Sequence, residues 1–295
     1  MTDARAIANP ARPPSPRRRR LRKFTLSLGL VYVFLAVTAL FCFIPLLWVA
    51  TSSVDPAAGV HLQIPGTIDI SNYVRFLSDP QFSRYVVNSL VMAGGATAVT
   101  IASAVLGGYA LSRFAFPGRR TLMFAIILTR IVPASATIAP LYVIVQRLGL
   151  VDTYQGLIFV LAAQQLPLAL WLMKGFFDTV PIELEEAAWV DGANRLGSAI
   201  RIVLPLAAPG VGAAALFAFI EAWGDFLTPL ILLSNPDKFP LSIGLFQAFT
   251  YRNQVDWGLL TAMSVVYMVP TVILYLAVRR YLLKATVVGA IQGGG

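Results

Sequence analysis

Charge is scarce in this sequence. Asp, Glu, Lys and Arg make up 13% of its 295 residues, against roughly a quarter in a soluble domain. Hydrophobic residues account for 57% and the mean hydropathy is +0.73, which excludes an ordinary soluble domain. The single cysteine, Cys42, excludes an intrachain disulfide and, inside an apolar run, says little about redox compartment. His61 is the only histidine, so a histidine-cluster metal site or a Ser-His-Asp triad has almost no material. There is no GxxxxGK[ST] phosphate loop, which excludes ATP hydrolysis by the usual P-loop route. There is no internal repeat either, so the inverted-repeat architecture of many secondary transporters gains no support.

What the chain does have is long apolar runs. About 20 apolar residues span a bilayer. Six runs qualify once Pro and Gly are tolerated: 24–50, 85–111, 121–146, 154–175, 208–233 and 258–282. Length alone allows one domain or two, and the runs make it one membrane domain. Segment 51–83 is polar, with Asp55, His61, Asp69 and Asp79, and reads as an external loop. Residues 1–23 form a Pro/Ala/Arg-rich tail ending in Arg17-Arg18-Arg19-Arg20, Arg22 and Lys23. A basic run can bind nucleic acid or anionic lipid, but next to an apolar run it reads as a positive-inside anchor. The run 24–50 is too long for the apolar core of a signal peptide, so it reads as a retained first helix. With the N-terminus inside, 17 Lys and Arg fall on the inner side and five (Arg75, Arg84, Arg147, Lys238, Arg252) outside, while Arg130 lies within a helix. That asymmetry predicts both termini cytoplasmic. The expected divisions are the tail 1–23, a transmembrane helix 24–50, an external loop 51–83 and a five-helix core 84–295.

The longest charge-bearing interruption of the hydrophobic second half is Glu186 to Pro205, EAAWVDGANRLGSAIRIVLP. It reads as two short helices with a hinge. Pro181 suits a first helical turn, and Glu183, Glu185 and Glu186 favour the positive end of the helix dipole. Leu184, Ala187 and Ala188 make a narrow apolar stripe. Asp191-Gly192 supplies a left-handed stop, because Gly takes positive φ without steric cost. Leu196, Ile200, Val203 and Leu204 share one face of a second segment that Pro205 should end. The alanines allow close approach to another surface, so the segment 178–206 reads as a docking element.

Glu186-Ala187-Ala188, Gly192 and Ile202-Val203-Leu204-Pro205, at this spacing, resemble the EAA loop of binding-protein-dependent ABC importer permeases. Other motifs look like the carbohydrate-type branch of that family: Asn88-Ser89-Leu90, Gly108-Tyr109-Ala110-Leu111-Ser112-Arg113, Phe116-Pro117-Gly118-Arg119-Arg120, Asp152-Thr153-Tyr154 and the Gly289-Ala290 ending. The similarity covers roughly residues 24–293. It implies an all-α membrane fold of the type I importer permease kind, with six transmembrane helices and a cytoplasmic coupling loop. The coupling residues it implies are Glu186, Ala187, Ala188, Asp191, Gly192, Ile202, Leu204 and Pro205. Glu186 either caps its own helix or meets a basic group on an ATPase. Arg130 and Glu221 stand where the family usually has uncharged residues, and Gln292 where Lys is common.

Polar groups at membrane depth are the remaining signal. Arg130, Gln164, Gln165, Glu221 and Asp225 are costly there and usually face a bundle interior or water. Trp223, between the last two acids, suits stacking on a sugar ring. These six are the candidate substrate-pathway residues. The glutamines and Asn88 equally suit helix-to-helix hydrogen bonding, and Arg130 could snorkel. Gly94, Ala98, Ala102, Ala104 and Gly108 form a small-residue stripe for close helix packing, within the chain or against another subunit. Pro133, Pro140, Pro167 and Pro270 interrupt apolar runs and permit kinks.

The expected function is the transmembrane permease subunit of an ATP-driven importer of a sugar or related polyol, not itself an enzyme. The resemblance implies a second related permease, a cytoplasmic ATPase dimer carrying ATP and Mg, and an extracytoplasmic solute-binding protein. No cofactor, metal or nucleic acid is expected in this chain, and its place is a prokaryotic inner membrane. Two rivals remain at this stage: an ion-coupled secondary transporter using Arg130, Glu221 and Asp225, and a purely structural membrane scaffold.

Overall fold

The computed structural model describes residues 16–61, 63, 65–250 and 255–292, with side chains described for 28–61, 63, 65–133, 135–249 and 255–279. The tail residues 1–15, Arg252 and residues 293–295 lie outside the described residues, as do the side chains of the arginine run. No strand occurs among the described residues. Among the described residues four helices are long and apolar enough to cross a membrane: Leu28–Ser52, Pro80–Arg113, Tyr154–Asp178 and Trp257–Arg279. The first and last are parts of α1 (Pro16–Ser52) and α13 (Trp257–Gln292). Two bent helix pairs complete a possible six, with angles of 106° and 74°.

The apolar run 121–146 is therefore not one straight helix. It divides into α4 (Arg119–Leu128), a 3-10 turn and α5 (Ala134–Arg147). The break falls at Val132-Pro133, where Pro lacks an N–H and pushes its predecessor to extended backbone. Pro45, Pro140, Pro167 and Pro270 stay inside continuous helices. The run 208–233 is likewise shorter as a helix than expected. Helix α10 (Ala208–Gly224) ends where Asp225 turns extended, and the Asp225 carboxylate accepts from the Thr228 N–H (3.0 Å) and hydroxyl (2.6 Å) in the first turn of α11 (Leu227–Leu232).

Between these lie α2 (Ser71–Ser78), α3 (Pro80–Arg113), α6 (Tyr154–Asp178), α7 (Glu183–Val190), α8 (Arg195–Ser198), α9 (Leu204–Leu206) and α12 (Leu241–Thr250). Helices α3 and α6 run parallel at the centre, with α10 packed against both. The contact is close because Gly108 has no side chain. A Cβ there would come within 2.9 Å of the Met173 Cβ and 3.0 Å of the Lys174 backbone nitrogen. Ala93, Ala96, Thr100, Ala104 and Gly108 form the buried face of α3. The expected small-residue stripe therefore splits. Ala104 and Gly108 pack within the chain, whereas Gly94, Ala98 and Ala102 are exposed.

Helix α1 packs on α13 through its last turns. Its apolar window is 0% buried within the chain, and Trp48 meets Trp257 edge-on at 5.8 Å. One end of the bundle gathers α2, the starts of α3 and α6, and residues 225–242. There Asn88 donates to the carbonyls of Asp237 (2.9 Å) and Phe239 (3.0 Å), and the Ser89 hydroxyl accepts from the Leu241 N–H (2.7 Å). Tyr154 donates to the Asn88 side-chain oxygen (2.7 Å). The opposite end gathers the ends of α3 and α6 and the segment 178–206.

At the first end Asp152 holds a left-handed conformation, φ +56. Its carboxylate pairs with Lys238 (2.8 Å) and accepts the N–H groups of Ser234 (3.0 Å) and Asn235 (3.1 Å). Lys238 first, then the two backbone donors, hold this carboxyl below the ordinary Asp value, with partial desolvation opposing them. A lowered folded-state value adds stability above the ordinary value, about 3.9, and loses it as pH falls through the lowered one. Asp152→Asn, which tolerates the left-handed backbone, should therefore lower the thermal midpoint in detergent at pH 7. The gap to wild type should close as pH falls below about 3.9.

Candidate functional site

The segment 178–206 is rigidly built. Helix α7 ends in a Schellman stop: the Gly192 N–H donates to Trp189 O (3.1 Å) and the Ala193 N–H to Ala188 O (2.9 Å). Gly192 sits at φ +90, the left-handed stop expected at Asp191-Gly192. Asn194 then caps α8, accepting from the Gly197 N–H (2.6 Å). A π-helical turn, Ala199–Val203, follows, and the chain continues through α9. Pro205 therefore does not end the second segment as expected. It occupies the first turn of α9, where a missing N–H costs nothing. Pro181 lies ahead of α7 rather than in its first turn, since the helix starts at Glu183.

The residue that ties this segment to the bundle is Glu185, which sequence reasoning treated only as a dipole charge. It is 0% exposed. Arg113 donates to one of its oxygens and Tyr109 to the other (2.8 Å), and Arg113 also reaches the Val180 carbonyl (2.9 Å). The Ser112 hydroxyl donates to Asp178 (2.6 Å). The Gly108–Arg113 motif of α3 is thus a bracket that grips both sides of the α6–α7 junction. Trp189 is a second missed residue: its indole donates to Ser198 (2.9 Å), and Arg195 stacks over it at 5.0 Å. Tyr109 with Arg113, and Glu185 with Trp189, each pair four residues apart on one helix, were the available signal.

Inward, Val203 and Ala207 join a core with Met173, Phe177 and Ala214. Outward, the segment presents Glu186, Ala187, Asp191 and Gly192 exposed, with Ala188 half-buried. Around them stand exposed Leu184, Val190, Leu196 and Ile200, of which Val190 is 88% exposed. Ile202 and Leu204 are half-buried and Pro205 exposed. Val203 therefore leaves the face it was expected to share with Leu196 and Ile200, because the π turn rotates it inward.

A second place lies between the helices. Arg130, Gln164, Gln165, Glu221 and Asp225 all line one cavity of about 750 Å³ between the α4–α5 break, α6 and the end of α10. Arg130 grips Glu221 with two hydrogen bonds (2.9 and 2.6 Å) and reaches the Gln164 carbonyl (3.2 Å). The Gln164 amide donates to Thr228 (3.3 Å), which donates to Asp225 (2.6 Å). Gln165 is 4% exposed and its side-chain oxygen has no hydrogen-bond partner. Trp223 does not join them. It stacks with Phe219 (5.5 Å), donates to the Tyr267 carbonyl (2.9 Å) and is 4% exposed in the core. Helix phase separates it from Glu221, two residues back on α10, and Asp225 lies past the end of that helix.

Glu221→Gln should leave Arg130 without its counter-charge at membrane depth, lowering stability or transport. Adding Arg130→Gln should restore part of the loss. Additive losses in the double variant, measured by detergent-phase melting and uptake, would contradict coupling of the pair.

Comparison with known proteins adds identity to this geometry. Residues 101–288 match the family described as binding-protein-dependent transport system inner membrane component. The chain is 32% identical to the trehalose/maltose transport system permease protein MalG of Thermococcus litoralis over 92% of this chain and 100% of that one. It is 30% identical to the maltodextrin transport system permease protein MdxG of Bacillus subtilis, over 89% and 95%. Its fold is similar to a chain of a bacterial ABC transporter involved in import of the acidic polysaccharide alginate. That likeness has TM-score 0.77 and 26% identity, and covers 92% of this chain and 100% of that one.

Proposed function

The chain belongs to the family of binding-protein-dependent transport system inner membrane components, and from that premise we propose that it serves an ATP-driven importer of a sugar or related polyol, with segment 178–206 as its joint to an ATPase. The observation that carries the joint is an exposed face of small and apolar residues on a segment fixed from behind by Glu185 and Val203. Exposed apolar patches of this kind mark interaction sites. A rigid backing lets a push on Ala187 or Gly192 reach α3 and α6 instead of being absorbed locally.

ATP and Mg belong, in this proposal, to a pair of partner ATPase subunits, since this chain has no P-loop. A second related permease covers the exposed faces of α1 and α3, and an external solute-binding protein delivers the solute. The Arg130–Glu221 cavity forms part of the pathway wall. Nucleotide binding in the ATPases then rocks the helices between inward- and outward-facing states. The α4–α5 break is a hinge in that scheme, and the Arg130–Glu221 pair ties it to α10. The charge asymmetry supports placing 178–206 in the cytoplasm. In a Cys42→Ser background, Asp191→Cys should then label only from the cytoplasmic side and Thr67→Cys only from outside; the reverse pattern would remove the joint.

Sugar as the solute class is supported by the names of the trehalose/maltose and maltodextrin relatives. Family membership leaves the ion-coupled alternative without support. Uptake of labelled disaccharide into proteoliposomes holding the assembled complex tests the proposal. Uptake should need internal-face ATP and the binding protein. Uptake driven by an ion gradient without ATP would overturn it.

A further inference from the structure

A cleft of about 750 Å³ opens between the first turns of α4 and the last turns of α6, at the boundary of the membrane-spanning segments. It shares only Asp178 and Thr179 with the places described above. Its floor is apolar, with Phe124, Trp171 and Phe176, and its rim carries Arg119, Arg120 and Lys174. Lys174 is offset by Asp178 one turn away. Arg119 reaches only the carbonyls of Ser112 and Phe114, both at 3.4 Å. Arg120 is exposed and pairs with no acid among the described residues. Two cations thus stand unneutralised over an apolar slot whose Phe124 is 63% and Trp171 53% exposed.

We propose that this cleft binds an anionic phospholipid, with the phosphate headgroup at Arg119 and Arg120 and an acyl chain along Phe124 and Trp171. Charge complementarity selects the occupant. A zwitterionic lipid brings its own cation to a cationic rim, and an apolar protein helix would leave both guanidinium groups buried without a counter-charge. Trp171 lies two turns inside the end of α6, below the cationic rim, where an acyl chain would run beneath a headgroup held by the arginines. Basic pockets between transmembrane helices collect anionic headgroups. The site depends on the chain spanning a membrane and not on which solute it carries, so a failed transport assay would leave it standing.

Native mass spectrometry of the full chain, exchanged with equal phosphatidylglycerol and phosphatidylcholine of matched acyl chains, tests it. Wild type should retain phosphatidylglycerol preferentially. Arg120→Gln should cut that retention roughly fivefold and the Arg119→Gln/Arg120→Gln pair tenfold or more, with phosphatidylcholine unchanged. Trp171→Ala should reduce both lipids, and Arg147→Gln, at the other end of the bundle, neither. Equal retention of the two lipids by wild type would overturn the proposal. So would displacement of phosphatidylglycerol by inorganic phosphate alone, which marks a free-anion site. A cross-link from Phe124→Cys (Cys42→Ser) to another protein chain in native membranes would make the cleft a protein interface and overturn it too.

Discussion

Replacing Glu185 with alanine is expected to do more damage than any other single change in the 178–206 segment. Its carboxylate is 0% exposed and the Arg113 side chain 10%, so the substitution strands a buried guanidinium. Breaking a buried pair by removing one partner costs about 3–5 kcal/mol. Tyr109 loses its acceptor as well. The Glu185→Ala chain should accumulate poorly in membranes, with a clearly lowered melting midpoint in detergent. Replacing both charges, Arg113→Met with Glu185→Leu, should recover much of the stability, because no uncompensated charge remains. That double variant should still transmit motion badly, since the bond linking α3 to α7 is gone. Near-normal melting of Glu185→Ala would show that the bracket is not what holds the segment.

Gly192→Val should act in the opposite way, sparing the fold and removing the output. Nothing lies within 4 Å of where a Cβ would stand, so the cost comes from φ +90 alone. A left-handed L-residue costs roughly 1–2 kcal/mol, a factor of about 5–30 in the equilibrium that forms the turn. Asn tolerates this conformation better than other side chains. Stimulated ATP hydrolysis by the assembled complex should therefore fall in the order Gly, Asn, Ala, Val, with membrane levels unchanged. An equal loss in all three variants would point to a steric contact with the partner instead of a backbone effect.

Much of this was legible from residue types. The stop at Gly192 follows from Asp-Gly after an alanine-rich turn, because only glycine enters the left-handed region freely. The cavity residues Arg130, Gln164, Gln165, Glu221 and Asp225 could be gathered by one consideration, the cost of polar groups at membrane depth. Trp223 shows where that consideration fails. It lies two residues from each acid, and neither hydropathy nor aromatic character says which face of α10 it takes. The break at Pro133 was readable as a kink but not as a 106° bend, since proline permits a break and packing sets its angle. Pro205 was misjudged because a π turn ahead of it is followed by a new helical turn from Leu204, and the proline falls in that first turn. Glu185 was passed over beside Glu183 and Glu186, because three neighbouring carboxylates look alike until tertiary packing buries one.

The most direct test of the central claim, that segment 178–206 joins this permease to an ATPase, is a cross-link from Ala187. In a Cys42→Ser background, Ala187→Cys should be linked by a short bifunctional thiol reagent to an introduced surface cysteine on the co-purifying ATPase, in native membranes. One heterodimeric product is expected, whose yield changes when ATP is added and which vanishes in Gly192→Val. A chain that co-purifies with its ATPase yet gives no product from Ala187 at any ATPase cysteine tested, while a position at the opposite end such as Asn235→Cys does, would contradict it.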